Sequence, residues 1–202
     1  MGPYAAALGD RMPELHPRLH AYFSSIPTGM VGVGAGVFDV VGTPRRWLWP
    51  ALAVLGRQGI LFPAWQHDVP FTVRNTPALG GGVAAARRFE FARGPRTMVD
   101  AMSWQGGLVD RLGRSGLLVA RFRVSVVRGE LHLASTRVGI GISSRVFWLP
   151  SFIAPTVQLT ERFDDVADHQ RVDLRIEHPL LGRLYEYAGS FTYVLQQGDG
   201  AA

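Results

Sequence analysis

Two carboxylates stand where strand alternation sets them among apolar side chains. Glu161 shares parity with Val157, Leu159 and Phe163, and Asp100 shares parity with Met98, Met102 and Trp104. His178 follows Val172, Leu174 and Ile176 on one face, and Tyr185, Tyr187, Phe191 and Tyr193 line one face of the run from Arg183 to Leu195. A carboxyl group walled by hydrocarbon ionises less readily, so its pKa climbs toward neutrality and it becomes a useful proton donor. An imidazole and phenols beside it offer further places to hold or polarise a proton. The catalytic candidates are therefore Asp100, Glu161, His178 and Tyr187. The candidate substrate contacts are Arg88, Met98, Met102, Trp104, Trp148, Phe163 and Tyr185. Three of the four catalytic candidates also have a structural reading. Glu161 can pair with an arginine such as Arg88 or Arg137, His178 ahead of Pro179 can cap a turn, and Tyr187 can be core with its hydroxyl bonded to backbone.

The composition removes other chemistries. The 202 residues contain no cysteine, and all 21 basic residues are arginine. There is thus no thiolate nucleophile, no sulfur-rich zinc site, no Schiff-base lysine and no P-loop lysine. No Gly-x-Ser-x-Gly elbow marks a hydrolase. His16 and His20 stand four apart but lack the glutamate that a zinc protease places between them, and no metal or cofactor is expected. The net charge of +5 suggests nucleic acid only if the arginines cluster with stacking aromatics, and they are dispersed. No apolar run approaches the ~20 residues of a membrane span. A cytoplasmic protein without stable membrane insertion is the expectation, with a homodimer left open.

Strands must position the candidate residues. The run from Gly29 to Gly42 has the glycines of a nucleotide loop but continues as Val37-Phe38-Asp39-Val40-Val41 rather than as a helix. It reads instead as a glycine-rich strand packed closely on a neighbour or bent around a barrel. From Val69 onward strand follows strand, with core faces at Val69, Phe71 and Val73, at Val83, Ala85, Phe89 and Phe91, and at Leu118, Ala120, Phe122, Val124 and Val126. Gly189 leaves a gap in the row of phenols, where a bend or a bound group could approach the backbone. Leu15, Leu19, Tyr22 and Phe23 predict an amphipathic helix within Pro13 to Ser25, safest from His16 onward because Pro17 interrupts it. Thr43-Pro44 predicts a second helix over Arg45 to Arg57, kinked or truly begun at Pro50. The expected fold is mainly β, a curved antiparallel sheet closing into a calycin-like barrel. An N-terminal helix and one further short helix pack on it. Residues 1–197 are expected to form one domain and 198–202 a disordered tail.

Several stretches together carry a resemblance. They are Arg88-Phe89, the Gly-Leu-Val-Asp at Gly107, the Phe-Trp-Leu-Pro-Ser-Phe-Ile-Ala-Pro from Phe147, Thr160-Glu161, and the His-Pro-Leu-Leu-Gly-Arg-Leu-Tyr-Glu-Tyr-Ala-Gly from His178 to Gly189. In this order the chain, from about His20 to Tyr193, resembles the bacterial family catalogued as domain of unknown function 4166. The resemblance implies an architecture and pocket positions but no reaction. It also implies a partner, since members commonly occur next to, or fused behind, NAD(P)-binding reductase domains.

Without lysine, cysteine, metal ligands or a nucleotide loop, the chemistry left is positioning plus proton transfer. Holding a flexible chain in a reactive shape lowers the barrier by several kcal/mol without a cofactor. The expected function is a cofactor-independent cyclase or isomerase of specialised metabolism that folds an apolar polyketide- or polyene-like molecule inside the barrel. The alternative is a non-catalytic carrier or sensor of an apolar ligand, or a partner module of a reductase.

Overall fold

The computed structural model describes residues 1–143 and 145–198. Its strands are β1 (Met30–Gly42), β2 (Trp65–Ala78), β3 (Gly82–Phe91), β4 (Gly94–Trp104), β5 (Leu108–Leu112), β6 (Leu118–Val127), β7 (Glu130–Ile142), β8 (Arg145–Trp148), β9 (Thr156–Asp164), β10 (His169–His178) and β11 (Gly182–Gln197). Among the described residues ten of these close into an antiparallel barrel, as expected. The first seven follow one another as a meander, β7 then pairs with β9, and β11 returns to β1. Closure leaves no free edge in the ring. Strand β7 forks to achieve it, because Leu131 to Ala134 pair with β9 while Gly139 to Ile142 pair with β8, which lies outside the ring.

The glycine-rich strand explains how the barrel curls. Gly32, Gly34 and Gly36 of β1 face inward, and the ring of Tyr193 lies across Gly32 so closely that a Cβ there would sit 1.5 Å from its hydroxyl oxygen. Gly36 meets the backbone itself, its notional Cβ falling 2.0 Å from the Ser190 carbonyl oxygen. A bulge at Asp39 then shifts the register and turns the strand toward the barrel mouth. Opposite it Gly189 is filled by Phe38, whose Cα lies 2.4 Å from the place of a Cβ. The gap in the row of phenols is thus an approach of backbone and ring.

Phe38, Phe71, Phe89, Tyr187 and Phe191 form one continuous aromatic cluster, with ring centroids 4.3 Å apart for Phe38 and Phe71 and 5.2 Å for Phe71 and Phe89. Two lids seal the ends. The first is the N-terminal segment, and here the predicted helix is corrected. Prolines 13 and 17 break it into short 3₁₀ turns, Gly9–Glu14 and Pro17–Leu19, and a four-residue helix α2 (His20–Phe23). A further helix, α1 (Pro3–Leu8), precedes them. The apolar anchors nevertheless hold, since Leu15, Leu19, Tyr22 and Phe23 are all buried. The second lid is α3 (Trp49–Arg57) with the loop behind it. Thr43 Oγ1 accepts a bond from the Arg45 N–H, and Pro50 sits in the first helical turn, where its missing N–H costs nothing. Ile60 and Phe62 from that loop are fully buried.

Gly198, assigned to the tail, donates its N–H to the Gly29 carbonyl at 2.8 Å; the rest of the expected tail lies outside the described residues. Among those described, no helix is long and apolar enough to cross a membrane.

Candidate functional site

The inner faces of β3, β4 and β5 bring one arginine and two carboxylates together. Register sets Arg87 opposite Met98, Ala85 opposite Asp100, and Met102 opposite Asp110. Arg87, Asp100 and Asp110 are therefore diagonal neighbours across three strands, within reach of a long side chain. The Arg87 guanidinium donates to Asp100 Oδ1, both groups being withdrawn from solvent. Asp110 is also buried, and its Oδ1 has no hydrogen-bond partner among the described residues. Glu161 faces them from β9 on the other wall and accepts a bond from the Gln170 side-chain amide.

These groups border an inner cavity of about 80 Å³. Met98, Met102, Leu133, Leu159 and Leu174 make its apolar wall, Tyr187 closes it on the aromatic side, and Tyr4 and Leu61 reach in from the two lids. Loss of hydration dominates the electrostatics. It pushes Glu161 up to about 7, although the Gln170 amide and the Arg87 charge pull the other way. Burial pushes Asp110 up to about 6 against the charge of Arg87 and a bond from the Arg111 N–H. The phenols of Tyr22 (to about 12), Tyr4 and Tyr187 are likewise raised by burial, so near neutral pH they are uncharged donors. The cavity thus holds an acid and a base whose proton affinities bracket mildly acid to neutral pH.

Of the expected residues, the structure brings together Asp100, Glu161, Tyr187, Met98 and Met102 around this cavity, and Tyr185 is buried in the adjoining core. It does not bring in the others. His178 is half-buried at the β10–β11 turn, where its Nδ1 accepts from the Leu180 N–H at 3.2 Å. Arg88 points outward and pairs with Glu90 at 2.5 Å, because inner and outer positions alternate and its neighbour Arg87 takes the inner one. Trp104 is exposed at the end of β4. Trp148 lies on β8 outside the ring, beneath the Arg137 guanidinium at 4.7 Å from the ring centroid. Phe163 stacks on His16 beside an outer groove. His16 and His20 serve different partners, Asp165 at 3.2 Å and the Leu15 carbonyl at 3.2 Å. Among the described residues no cluster of three or more His, Asp or Glu side chains is arranged to hold a metal ion.

Arg87, Asp110, Gln170, Tyr4 and Tyr22 were not assigned to the site from sequence. Parity carried the first three. Arg87 shares it with Ala85 and Phe89, Asp110 with Leu108 and Leu112, and Gln170 with Val172. Tyr4 gave no signal, since only the tertiary path of the N-terminus brings it to the cavity.

A family model described as "Domain of unknown function (DUF4166)" matches residues 15–191. The chain belongs to this family. It is also similar to "Uncharacterized protein YndH" of Bacillus subtilis (strain 168), 27% identical over 134 residues that cover 61% of this chain and 64% of that protein. The chain thus spans less than two thirds of that relative's length.

Proposed function

We propose that this member of a family of unknown function is an acid–base isomerase or cyclase for a largely apolar small molecule carrying a neutral oxygen group. The observation that carries the reading is two carboxyl groups of raised pKa, Asp110 and Glu161, facing one enclosed apolar cavity beside the buried Arg87. Ionised Asp110 takes a proton from the carbon next to a ketone while protonated Glu161 gives one to the ketone oxygen, leaving an enol. Return of a proton at another carbon yields an isomer, and attack of the enol carbon on a second carbonyl of the same molecule yields a ring. Neither outcome needs an oxidant or a reductant. Asp100 holds the Arg87 guanidinium in place, and Arg87 steadies negative charge on Asp110.

Size restricts the substrate. Pockets for drug-sized ligands measure roughly 300–1,000 Å³, and the cavity offers about 80 Å³. A polyketide- or polyene-like chain fits only with its reacting end inside and its remainder beyond a lid.

The two raised values also predict the pH profile. Turnover rises as Asp110 loses its proton near 6 and falls as Glu161 loses its proton near 7, a narrow bell. Incubation with linear enones, dienes and β-diketones in deuterium oxide, followed by mass spectrometry, tests the reading. Enzyme-dependent deuterium uptake or an isomer of otherwise unchanged mass is expected, and Glu161→Gln and Asp110→Asn should each lower it by about 10²-fold or more while the variants remain folded. Compounds that bind and return without exchange would make the barrel a carrier.

A further inference from the structure

On the outside of the first lid a groove of about 440 Å³ runs between the Pro17–Phe23 segment and strands β9, β10 and β11. Pro17, Ala21, Phe163, Phe191 and Tyr193 give it an apolar surface, and Arg18 crosses its rim to Asp168 at 2.5 Å, the guanidinium 5.0 Å from the Phe163 ring centroid. Its floor is Gln170, buried and bonded on the other side to Glu161. Tyr22 belongs to the same partition. Its ring packs edge-on against Tyr193 at 4.7 Å and Phe191 at 5.7 Å on the groove side, and its hydroxyl faces the field of Arg87 and Glu161 on the cavity side. Two side chains therefore separate an outer apolar groove of ligand size from an inner cavity too small for a ligand of that size.

We infer that this groove is the tail subsite and entrance of the barrel, and that it takes the alkyl or alkenyl chain of a molecule whose neutral ketone or hydroxyl head passes Gln170 and Tyr22 to reach Glu161. The inference rests on the proposed acid–base reading of the cavity and names how its substrate lies. Gln170 is the gate. In the closed state its amide occupies the carboxyl group that the head must reach, so entry exchanges a bond from the Gln170 amide for one to the ligand oxygen. Above neutral pH the cavity carries acids beyond those that Arg87 can balance, so an anionic head is disfavoured.

Ligand-detected NMR titration with butanone, octan-2-one and octanoate separates head from tail. At pH 6, where Glu161 keeps its proton, the full chain should bind octan-2-one more tightly than butanone by about fourfold for each methylene that leaves water, and at pH 8 it should still bind octan-2-one more tightly than octanoate. Ala21→Trp fills the groove from an exposed position and should bring the octanone-to-butanone affinity ratio down toward one, the ratio and not butanone binding alone being the reading. Thr192→Trp, from the opposite rim, should do the same if the first variant folds poorly. An octanone-to-butanone ratio unchanged in both variants would overturn the groove and leave the cavity reading standing. Failure of butanone to bind the unaltered chain would overturn both. Tighter binding of octanoate than of octanone would overturn the assigned head chemistry.

Discussion

At Glu161 hydration decides the charge. The Gln170 amide and the field of Arg87 both favour the carboxylate, yet burial outweighs them and sets the pKa at about 7 from an ordinary 4.5. Asp110 moves from 3.8 to about 6 for the same reason. A group whose folded pKa lies above its unfolded value stabilises fully below the unfolded value and loses that contribution as pH rises through the folded one. Each acid thus withdraws about 3 kcal/mol of stability between pH 4 and 8. Thermal unfolding followed from pH 4 to 8.5 should show a Tm that falls up to about pH 7 and then levels off, and Glu161→Gln should flatten the part between about 4.5 and 7. A variant with the same slope as the parent would mean that Glu161 is ionised in the fold throughout. Arg87 supplies the opposite case. Arg87→Met leaves Asp100 buried without its partner and should cost about 3–5 kcal/mol at pH 8. Adding Asp100→Asn should restore a large part of that loss, because the stranded charge goes with it; a strictly additive double mutant would argue against the pair.

At the scale of elements, alternation carries most of what the sequence revealed. Glu161, Asp100, Met98, Met102 and Tyr187 all lie on the inner face that their parity predicts. The same rule misdirects where a single step separates two residues of one type. Arg88 stands among the expected ligand contacts, while Arg87, one position earlier, has the inward parity of Phe89. Strand β5 escaped because five residues hold too few alternations to register, and Asp110 escaped with it. Capping and breaking rules located α3 well, but the N-terminal lid follows from packing of Leu15, Leu19, Tyr22 and Phe23 more than from helical propensity, and the prolines fragment it. Glycines of β1 are needed where space is the issue. Gly36→Ala should force β1 away from β11, since the new methyl meets the Ser190 carbonyl oxygen and the Phe191 Cα rather than a movable side-chain tip. A fall in Tm of roughly 10 °C is expected, against little change for Ala35→Ser on the outer face. Equal tolerance at both sites would show that the strand pair is looser than its register implies.

The whole molecule is a ring closed by its first and last strands, plugged by two lids of different construction. Closure of β1 on β11 joins Met30 to Gln197, so every strand of the ring is paired on both sides and its amides are hydrogen-bonded between neighbours. The second lid is tied into the wall, with the Val99 N–H donating to the Gly59 carbonyl and the Arg114 N–H to the Gln58 carbonyl. The first lid is held mainly by side-chain anchors, together with bonds from the His16 N–H to the Gly129 carbonyl and from Arg11 to the Val126 carbonyl. Its helical pieces are too short to be stable alone. Opening free energies should therefore differ across the molecule. Hydrogen exchange resolved by mass spectrometry is expected to show residues 3–23 exchanging well before α3 and far before the β1–β11 ladder. Octan-2-one should slow exchange in 17–23 and leave α3 unchanged, because the ligand adds contacts on that segment only. Slowing confined to α3 would place the route to the cavity at Leu61 instead, with the aromatic cluster and not Gln170 as the partition that a substrate must pass.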